Sequence, residues 1–263
     1  MGSRDDSLSA LVVFWVPSVG LGVLTRAMAI ARHLTVPYLI YTMYPDFARR
    51  ETPHVRRVCL GALEDVAKMQ AVVVTDTGAL PYARAVFENK VGTRQVLVER
   101  RCSHEYDAGV FDRVIDPNDR YIVIRQREEW LPLEKAQKIV GDDYPVVTFH
   151  AGKDIAERNY VWAEAARVAE RLDKRLKKYD PTRYFPVCEL LPAAGHVVCA
   201  PGYNSFAETK LWGGETTYVP MGRDHDDQAD RLQEIPTYFD GAFKAAEVIR
   251  AQSEIAKKHQ RRD

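Results

Sequence analysis

The chain has 263 residues, enough for one large domain or two small ones, and its 46% hydrophobic and 28% charged residues are typical of a folded globular protein. Lys and Arg number 37 and Asp and Glu number 37, so the formal net charge of zero excludes a strongly basic nucleic-acid coat and an acidic solvating tail, but not a local basic patch. No apolar run approaches the ~20 residues that cross a bilayer, and residues 1–6 lack a secretory signal. The four cysteines are scattered without a Cys-x-x-Cys pair, which predicts reduced thiols in a cytoplasmic protein.

Buried strands and helices alternate through the first half of the chain. Leu11–Val16 is short, continuously apolar and rich in β-branched residues, which predicts a strand buried on both faces. A glycine-containing turn follows, and apolar residues then recur at helical spacing up to Leu34. Further strands are predicted at Tyr38–Thr42, Ala71–Thr75, Arg94–Val98 and Tyr121–Ile124. This alternation predicts an α/β fold with a mostly parallel sheet.

The same pattern restarts after a Gly- and Pro-containing linker at residues 141–145. A helix is predicted before this linker, at Glu134–Val140. The predicted elements after it are a strand at Val146–His150, a helix at Arg158–Lys178, strands at Tyr184–Val187, Val197–Ala200 and Thr217–Pro220, and a terminal helix at Ala242–His259. We therefore expect two doubly wound, Rossmann-like domains facing a cleft, at residues 1–140 and 145–240. Residues 241–263 would form a terminal helix that packs back on the first domain.

The most informative segment joins the strand at Val197–Ala200 to a helix through Pro201 and Gly202. Exposed N–H groups at the start of that helix suit a diphosphate, and Gly202 would let the backbone approach it closely. Glu208, one turn further on, could accept hydrogen bonds from the two hydroxyls of a ribose. Asp227 and Gln228 could bind the hydroxyls of a sugar ring. Together these residues predict a nucleotide-sugar site, although Ser205-x-x-Glu208 also fits a capping box with a purely structural role.

The segment Gly202-Tyr203-Asn204-Ser205-x-x-Glu208, with Pro220 and Asp227-Gln228, resembles the donor-binding segment of GT-B glycosyltransferases. The resemblance is greatest to the branch that contains the peptidoglycan N-acetylglucosaminyltransferase and related nucleotide-sugar transferases. Residues 20–31, which include Gly22, Val23 and Arg26, resemble the first loop of that family. Two positions depart from the family pattern: Val23 stands where the family often has a histidine, and Pro201 replaces the first glycine of a pair.

The resemblance implies transfer of a sugar, with a UDP-sugar as the expected donor, to an acceptor hydroxyl without an obligatory metal or other cofactor. The first domain would bind the acceptor and the second the donor. The expected donor-binding residues are Gly22, Gly152, Lys153, Gly202, Asn204, Ser205, Glu208, Asp227 and Gln228. Lys153 fits a solvated surface lysine equally well, and residues 224–227 could instead hold a hard cation.

The general base should come from the first half, and Val23 cannot serve. Asp76, which ends an apolar strand, is the first choice, although it could instead cap the following helix. His104 is a second candidate and Glu99 a reserve. The paired arginines at 49–50, 56–57 and 100–101 could bind phosphates of a lipid carrier or of DNA that bears hydroxymethylated bases, or simply be solvated.

Two other functions stay open, and a third is disfavoured. A nucleotide-sugar hydrolase or epimerase would share the donor motif, and a catalytically inactive nucleotide-sugar-binding subunit would explain Val23. A dinucleotide oxidoreductase is disfavoured, because Thr25 follows Gly20-x-Gly22 where a third glycine is needed and no acidic residue ends the strand at Tyr38–Thr42. The sequence indicates no oligomeric state.

Overall fold

The computed structural model describes residues 11–17, 21–58, 62–69, 71–79, 94–99, 107–115, 124–149, 154–180, 184, 186–222, 228–233 and 240–260. The chain divides into two compact units. Unit 1 comprises Met1–Val19, Ala27–Asp119 and Phe243–Asp263, and unit 2 comprises Gly20–Arg26 and Arg120–Ala242. The predicted domain limits and their roles stay predictions.

Unit 1 is built on a six-stranded parallel sheet. Its strands are β1 (Leu11–Val16), β2 (Tyr38–Thr42), β3 (Val55–Arg57), β4 (Ala71–Asp76), β5 (Arg94–Val98) and β6 (Arg113–Ile115). Their order in the sheet is β3-β2-β1-β4-β5-β6, the doubly wound order of a Rossmann domain. The order reverses between β1 and β4, so a ligand site is expected where these two strands end.

The helices of unit 1 follow from local sequence signals. They are α1 (Leu21–Ala31), whose first residues belong to unit 2, α2 (Pro45–Ala48), α3 (Ala62–Lys68) and α8 (Gly241–Gln260), most of which belongs to unit 1. Pro45 opens α2, where its missing N–H costs nothing. Ala62 and Val66 of α3 pack with Val13, Tyr41 and other buried residues on one face of the sheet. Phe243 of α8 contacts the ring of His33, with the centroids 5.9 Å apart.

Unit 2 has a four-stranded parallel sheet with the order β10-β9-β7-β8. Its strands are β7 (Val146–Phe149), β8 (Leu176–Tyr179), β9 (His196–Cys199) and β10 (Thr216–Tyr218), and its helices are α4 (Leu133–Val140), α5 (Ile155–Arg171), α6 (Tyr203–Trp212) and α7 (Gln228–Arg231). Side chains alternate across the sheet, so Val147 and Phe149 pack under α4 while Val146 packs under α5. The order reverses between β7 and β9, which makes the ends of these two strands the expected ligand site of unit 2.

The predicted fold class, α/β with two Rossmann-like parallel sheets, is confirmed. Two predicted elements of unit 2 are wrong. The helix predicted to reach Lys178 ends at Arg171, because Asp173 adopts a left-handed backbone with φ of 49° and residues 176–179 pair with β7 as a strand. The strand predicted at Tyr184–Val187 does not form, since Val187 instead begins a 3₁₀ segment, Val187–Ala193. The strand predicted at Tyr121–Ile124 falls almost wholly outside the described residues.

Candidate donor-binding site

The turn between β9 and α6 lies at the carboxyl end of a central strand of unit 2. Gly202 is the N-cap of α6 and, as a glycine, supplies no side chain to the amides of the first turn. A Cβ built on Gly202 would meet no described atom within 4 Å, so none of the described residues fills the space beside this turn. The helix start can therefore receive an anion, both through its N–H groups and through the positive end of the helix dipole.

The structure places Ser205 at the third helical position rather than at the N-cap. The backbone carbonyl of Ser205 accepts a hydrogen bond from the hydroxyl of Thr209 at 2.8 Å. A capping box between Ser205 and Glu208 would require Ser205 to be the N-cap residue. The capping-box interpretation of the Ser-x-x-Glu spacing is therefore wrong.

Asn204 has both ends of its side-chain amide bonded within unit 2. Its Nδ2 donates to the backbone carbonyl of Gly22 at 3.1 Å, and its Oδ1 accepts from Nη1 of Arg26 at 2.9 Å. Arg26 is 2% exposed, and its guanidinium lies 5.1 Å from the centroid of the Tyr203 ring. Asn204 thus holds a cationic side chain beside the first turn of α6.

Neither Arg26 nor Tyr203 has a role that could be predicted from the sequence alone. The only available signal for Arg26 was its position in the first-loop segment that resembles the GT-B family. Tyr203 follows Gly202 directly, but a tyrosine at the start of a helix has no specific meaning without the arginine that packs on it.

Glu208 is buried in unit 2 behind the first turn of α6. Burial raises its pKa to about 7, while the Arg125 guanidinium and a hydrogen bond from the Cys188 thiol act in the opposite direction. Burial and the nearby Glu208 carboxylate also raise the pKa of Cys199. Glu208 is therefore a carboxyl group whose charge is sensitive to small changes in its surroundings near neutral pH.

Arg125 is the second functional candidate that the sequence did not reveal. It is fully buried, and its Nη1 lies 2.9 Å from Oε1 of Glu189, which is adjacent in sequence to Cys188. The 3₁₀ segment Val187–Ala193 thus supplies one partner to Glu208 and one to Arg125. No sequence signal links Arg125 to Glu208, because only the fold brings the two residues together.

Gln228 begins α7 and is 1% exposed. Its Oε1 accepts a hydrogen bond from the backbone N–H of Met221 at 3.0 Å. Three residues later, Nη1 of Arg231 donates to the carbonyl of Pro201 at 2.9 Å. Helix α7 therefore fixes the turn that leads into α6, and contact of Gln228 with a sugar stays a prediction.

The structure places Asp76 in unit 1, as the last residue of β4 and 5% exposed. It lies at the end of β4, where the strand order reverses between β1 and β4, which is the expected ligand site of that sheet. Glu99 follows the neighbouring strand β5 and is partly buried. Four predicted site residues lie outside the described residues: His104, Gly152, Lys153 and Asp227.

Within the described residues, no group of three His, Cys, Asp or Glu side chains is placed to hold a metal ion. None of the helices described above has a stretch long and apolar enough to cross a membrane.

Comparison with known proteins shows the fold. No family model and no curated protein sequence matches the chain. A solved UDP-glucosyltransferase from Polygonum tinctorium, capable of glucosylating indoxyl, superposes with a TM-score of 0.51 at 10% identity, covering 95% of this chain and 94% of that one. The glycotransferase of kitacinnamycin gives a TM-score of 0.50 at 11% identity, covering 95% and 94%. The chain therefore has the GT-B glycosyltransferase fold, with two Rossmann-like domains.

Proposed function

We propose that the chain is a glycosyltransferase that moves a hexosyl group from a nucleotide diphosphate sugar to an acceptor hydroxyl. The observation that carries this proposal is the open, glycine-capped start of α6 at the point where the strand order of unit 2 reverses. A diphosphate fits there because the first-turn amides and the helix dipole complement its charge. The GT-B fold supports the same function.

In the proposed donor complex, the diphosphate lies against the amides of Asn204 and Ser205. The positive charge of Arg26, which Asn204 holds near the same turn, supports this placement. Glu208 accepts hydrogen bonds from the ribose hydroxyls, while Gly22, Gly152 and Lys153 line the phosphates and Asp227 and Gln228 bind the sugar. UDP-sugars are the first donors to test.

The chemical step breaks the bond between the anomeric carbon and the diphosphate oxygen, and the acceptor oxygen forms the new bond. The negative charge that develops on the leaving diphosphate is stabilised by donors already fixed in place at the α6 start, so no metal ion is required for this stabilisation. The acceptor proton passes to a general base from unit 1. Asp76 is the proposed base and His104 the second candidate.

The acceptor is not specified by the donor site. Duplex DNA with hydroxymethylated bases belongs among the acceptors to test, because the paired arginines of the first half suit phosphates. We also propose a cytoplasmic location. The two described cysteines, Cys188 and Cys199, are buried free thiols, which supports that proposal.

The test is incubation with a panel of nucleotide sugars, with and without acceptors, while released nucleotide is measured. A transferase releases nucleotide only when an acceptor hydroxyl is present. Release without any acceptor would mean a nucleotide-sugar hydrolase or epimerase. Thermal stabilisation by nucleotide without release under any condition would mean a binding subunit. The absence of both binding and release would refute a nucleotide-sugar function.

The proposed base is tested by Asp76→Asn. We expect unchanged donor affinity and a fall in kcat of about 10²- to 10⁴-fold, the usual contribution of general acid–base catalysis. Glu99→Gln, at the end of the neighbouring strand, removes the reserve candidate and should keep kcat if Asp76 is the base. If Asp76→Asn turns over at the wild-type rate, Asp76 is not the base.

A further inference from the structure

Unit 1 contains a pocket of about 530 Å³ between the edge strand β3, the adjacent strand β2 and helix α3. Its apolar floor includes Leu39, Tyr41 and Ala62. Tyr41 and Arg56 are register partners in neighbouring parallel strands, so they share the sheet face that α3 covers. The volume is within the range of pockets that bind small molecules.

The rim of this pocket is cationic. Arg49, Arg56 and Arg57 line it, and among the described lining residues Asp65 supplies the one carboxylate. Asp46, outside the lining, bridges two of these arginines, with its oxygens 3.0 Å from Nη1 of Arg49 and 3.5 Å from Nη2 of Arg57. This shared carboxylate keeps two guanidinium groups close together, although both remain more than half exposed.

Arg56 differs from the other two arginines. Within the described ranges it forms no ion pair, and it is exposed on the edge strand. Its guanidinium fork is therefore available to an incoming phosphate or carboxylate, which it can bind through two parallel hydrogen bonds. An edge strand also gains from charged residues because they discourage pairing with other chains, but that role requires neither an apolar floor nor a concave shape.

The pocket is separate from the groups assigned to catalysis and to the donor. All of its lining belongs to unit 1, whereas the β9–α6 turn belongs to unit 2. Within unit 1, the register of the sheet places Arg57 level with Asp76, but three strands apart, about 14 Å at the usual spacing. The pocket is therefore a candidate second site.

We propose that this pocket binds a small amphiphilic anion: a phosphate or carboxylate group on a compact apolar or aromatic body. The arginine rim would hold the anionic group and the apolar floor would cover the body. A nucleic-acid backbone fits less well, because it presents a row of phosphates to an open surface rather than one charge and an apolar body to a pocket. This proposal does not depend on the function proposed above.

The test uses 1-naphthyl phosphate as the probe and isothermal titration calorimetry on the full chain. We expect 1-naphthyl phosphate to bind at least tenfold more tightly than 1-naphthol and also more tightly than inorganic phosphate. Arg56→Met should weaken binding roughly five- to tenfold, as expected for loss of an exposed charged hydrogen-bond donor. Arg56→Lys, which keeps the charge but not the fork, should lose less.

Arg113→Met is the matched control, since Arg113 is an exposed arginine on β6, the opposite edge strand of the same sheet. It should bind 1-naphthyl phosphate like the wild type. The proposal is overturned if 1-naphthol or inorganic phosphate binds as tightly as 1-naphthyl phosphate, or if Arg56→Met and Arg113→Met behave alike. Tight duplex DNA binding that Arg56→Met abolishes, without binding of 1-naphthyl phosphate, would also overturn it and indicate a nucleic-acid surface.

Nucleotide-sugar binding is measured on the same variants. We expect Arg56→Met to leave it unchanged, because Arg56 belongs to unit 1. If no nucleotide sugar binds any variant while 1-naphthyl phosphate still does, the donor proposal fails and the second site stands. The two failures are therefore distinguishable.

Discussion

At the scale of single residues, Glu208 makes stability depend on pH. Burial raises its pKa from 4.5 to about 7, so between these values the folded chain holds a proton that the unfolded chain has lost. The free energy of unfolding therefore falls as the pH rises through this window, by about 3 kcal/mol for a shift of this size. Glu208→Gln should not show this fall. Chemical denaturation of both proteins at pH 5 and pH 8 checks the difference.

The same carboxyl group should make donor binding tighten with rising pH. Ribose hydroxyls donate to the ionised carboxylate, so bound donor favours loss of its proton. An intact nucleotide sugar is the right ligand, because its esterified diphosphate has no ionisation near neutral pH. We expect Kd to fall between pH 6 and pH 8 in the wild type and to stay level in Glu208→Gln. Equal pH profiles would remove Glu208 from the donor site.

Single residues also show which features of the site could be predicted from the sequence and which could not. The spacing from Gly202 to Glu208 placed a carboxylate one turn inside a helix, which the structure bears out. The sequence could not reveal that Arg125 and Cys188 adjust the pKa of this carboxylate, since both come from distant segments. Nor could it show that the amide of Asn204 bonds to Gly22 and Arg26, because that depends on where α1 begins relative to α6.

At the scale of elements, the strands that the sequence predicted well are those buried on both faces. Leu11–Val16, which is continuously apolar, and Arg94–Val98, which ends in three apolar residues, have the predicted bounds. The strands that were missed, including β3 and β8, are short edge strands with Arg or Lys side chains. A charged edge strand lacks the apolar pattern that identifies a strand. The helix predicted before β8 extended over most of that strand, because the amphipathic pattern of the helix continued into it.

A side chain at the N-cap of α6 should raise the stability of the fold and weaken nucleotide diphosphate binding. Gly202→Ser adds a hydroxyl that can accept from the first-turn amides, in a backbone conformation with φ of −62° that serine adopts without strain. We expect the free energy of unfolding to rise by up to about 1 kcal/mol. Affinity for the nucleotide diphosphate should fall, because the new side chain enters the open space beside the turn.

The control ligand for Gly202→Ser is the corresponding nucleoside, because it lacks the phosphates that the nucleotide carries. Its affinity should change little, and a titration of both ligands against wild type and variant measures the contrast. Equal losses for the nucleoside and the diphosphate would mean that the substitution disturbs the site as a whole. Unchanged diphosphate binding would mean that the anion does not rest on the α6 start.

At the scale of the whole molecule, the two proposed ligands have separate binding sites, one in each unit. Ligand binding slows amide exchange in the segments that must open to release it, by roughly 100-fold at a ligand concentration of about 100 times Kd. The nucleotide diphosphate should protect residues 196–212 of unit 2, and 1-naphthyl phosphate should protect residues 38–66 of unit 1.

Hydrogen–deuterium exchange with mass spectrometry measures both patterns on the full chain. Gly202→Ser should lower the protection by nucleotide and keep the protection by 1-naphthyl phosphate. Arg56→Met, with its five- to tenfold weaker binding of 1-naphthyl phosphate, should lower the protection by that ligand to roughly 10- to 20-fold and keep the protection by nucleotide. This double contrast excludes a general stabilisation, since each variant serves as the folding control for the other. Nucleotide protection that appears only around β2 and β3 would place the nucleotide in the pocket of unit 1 and contradict the proposed donor site at the start of α6.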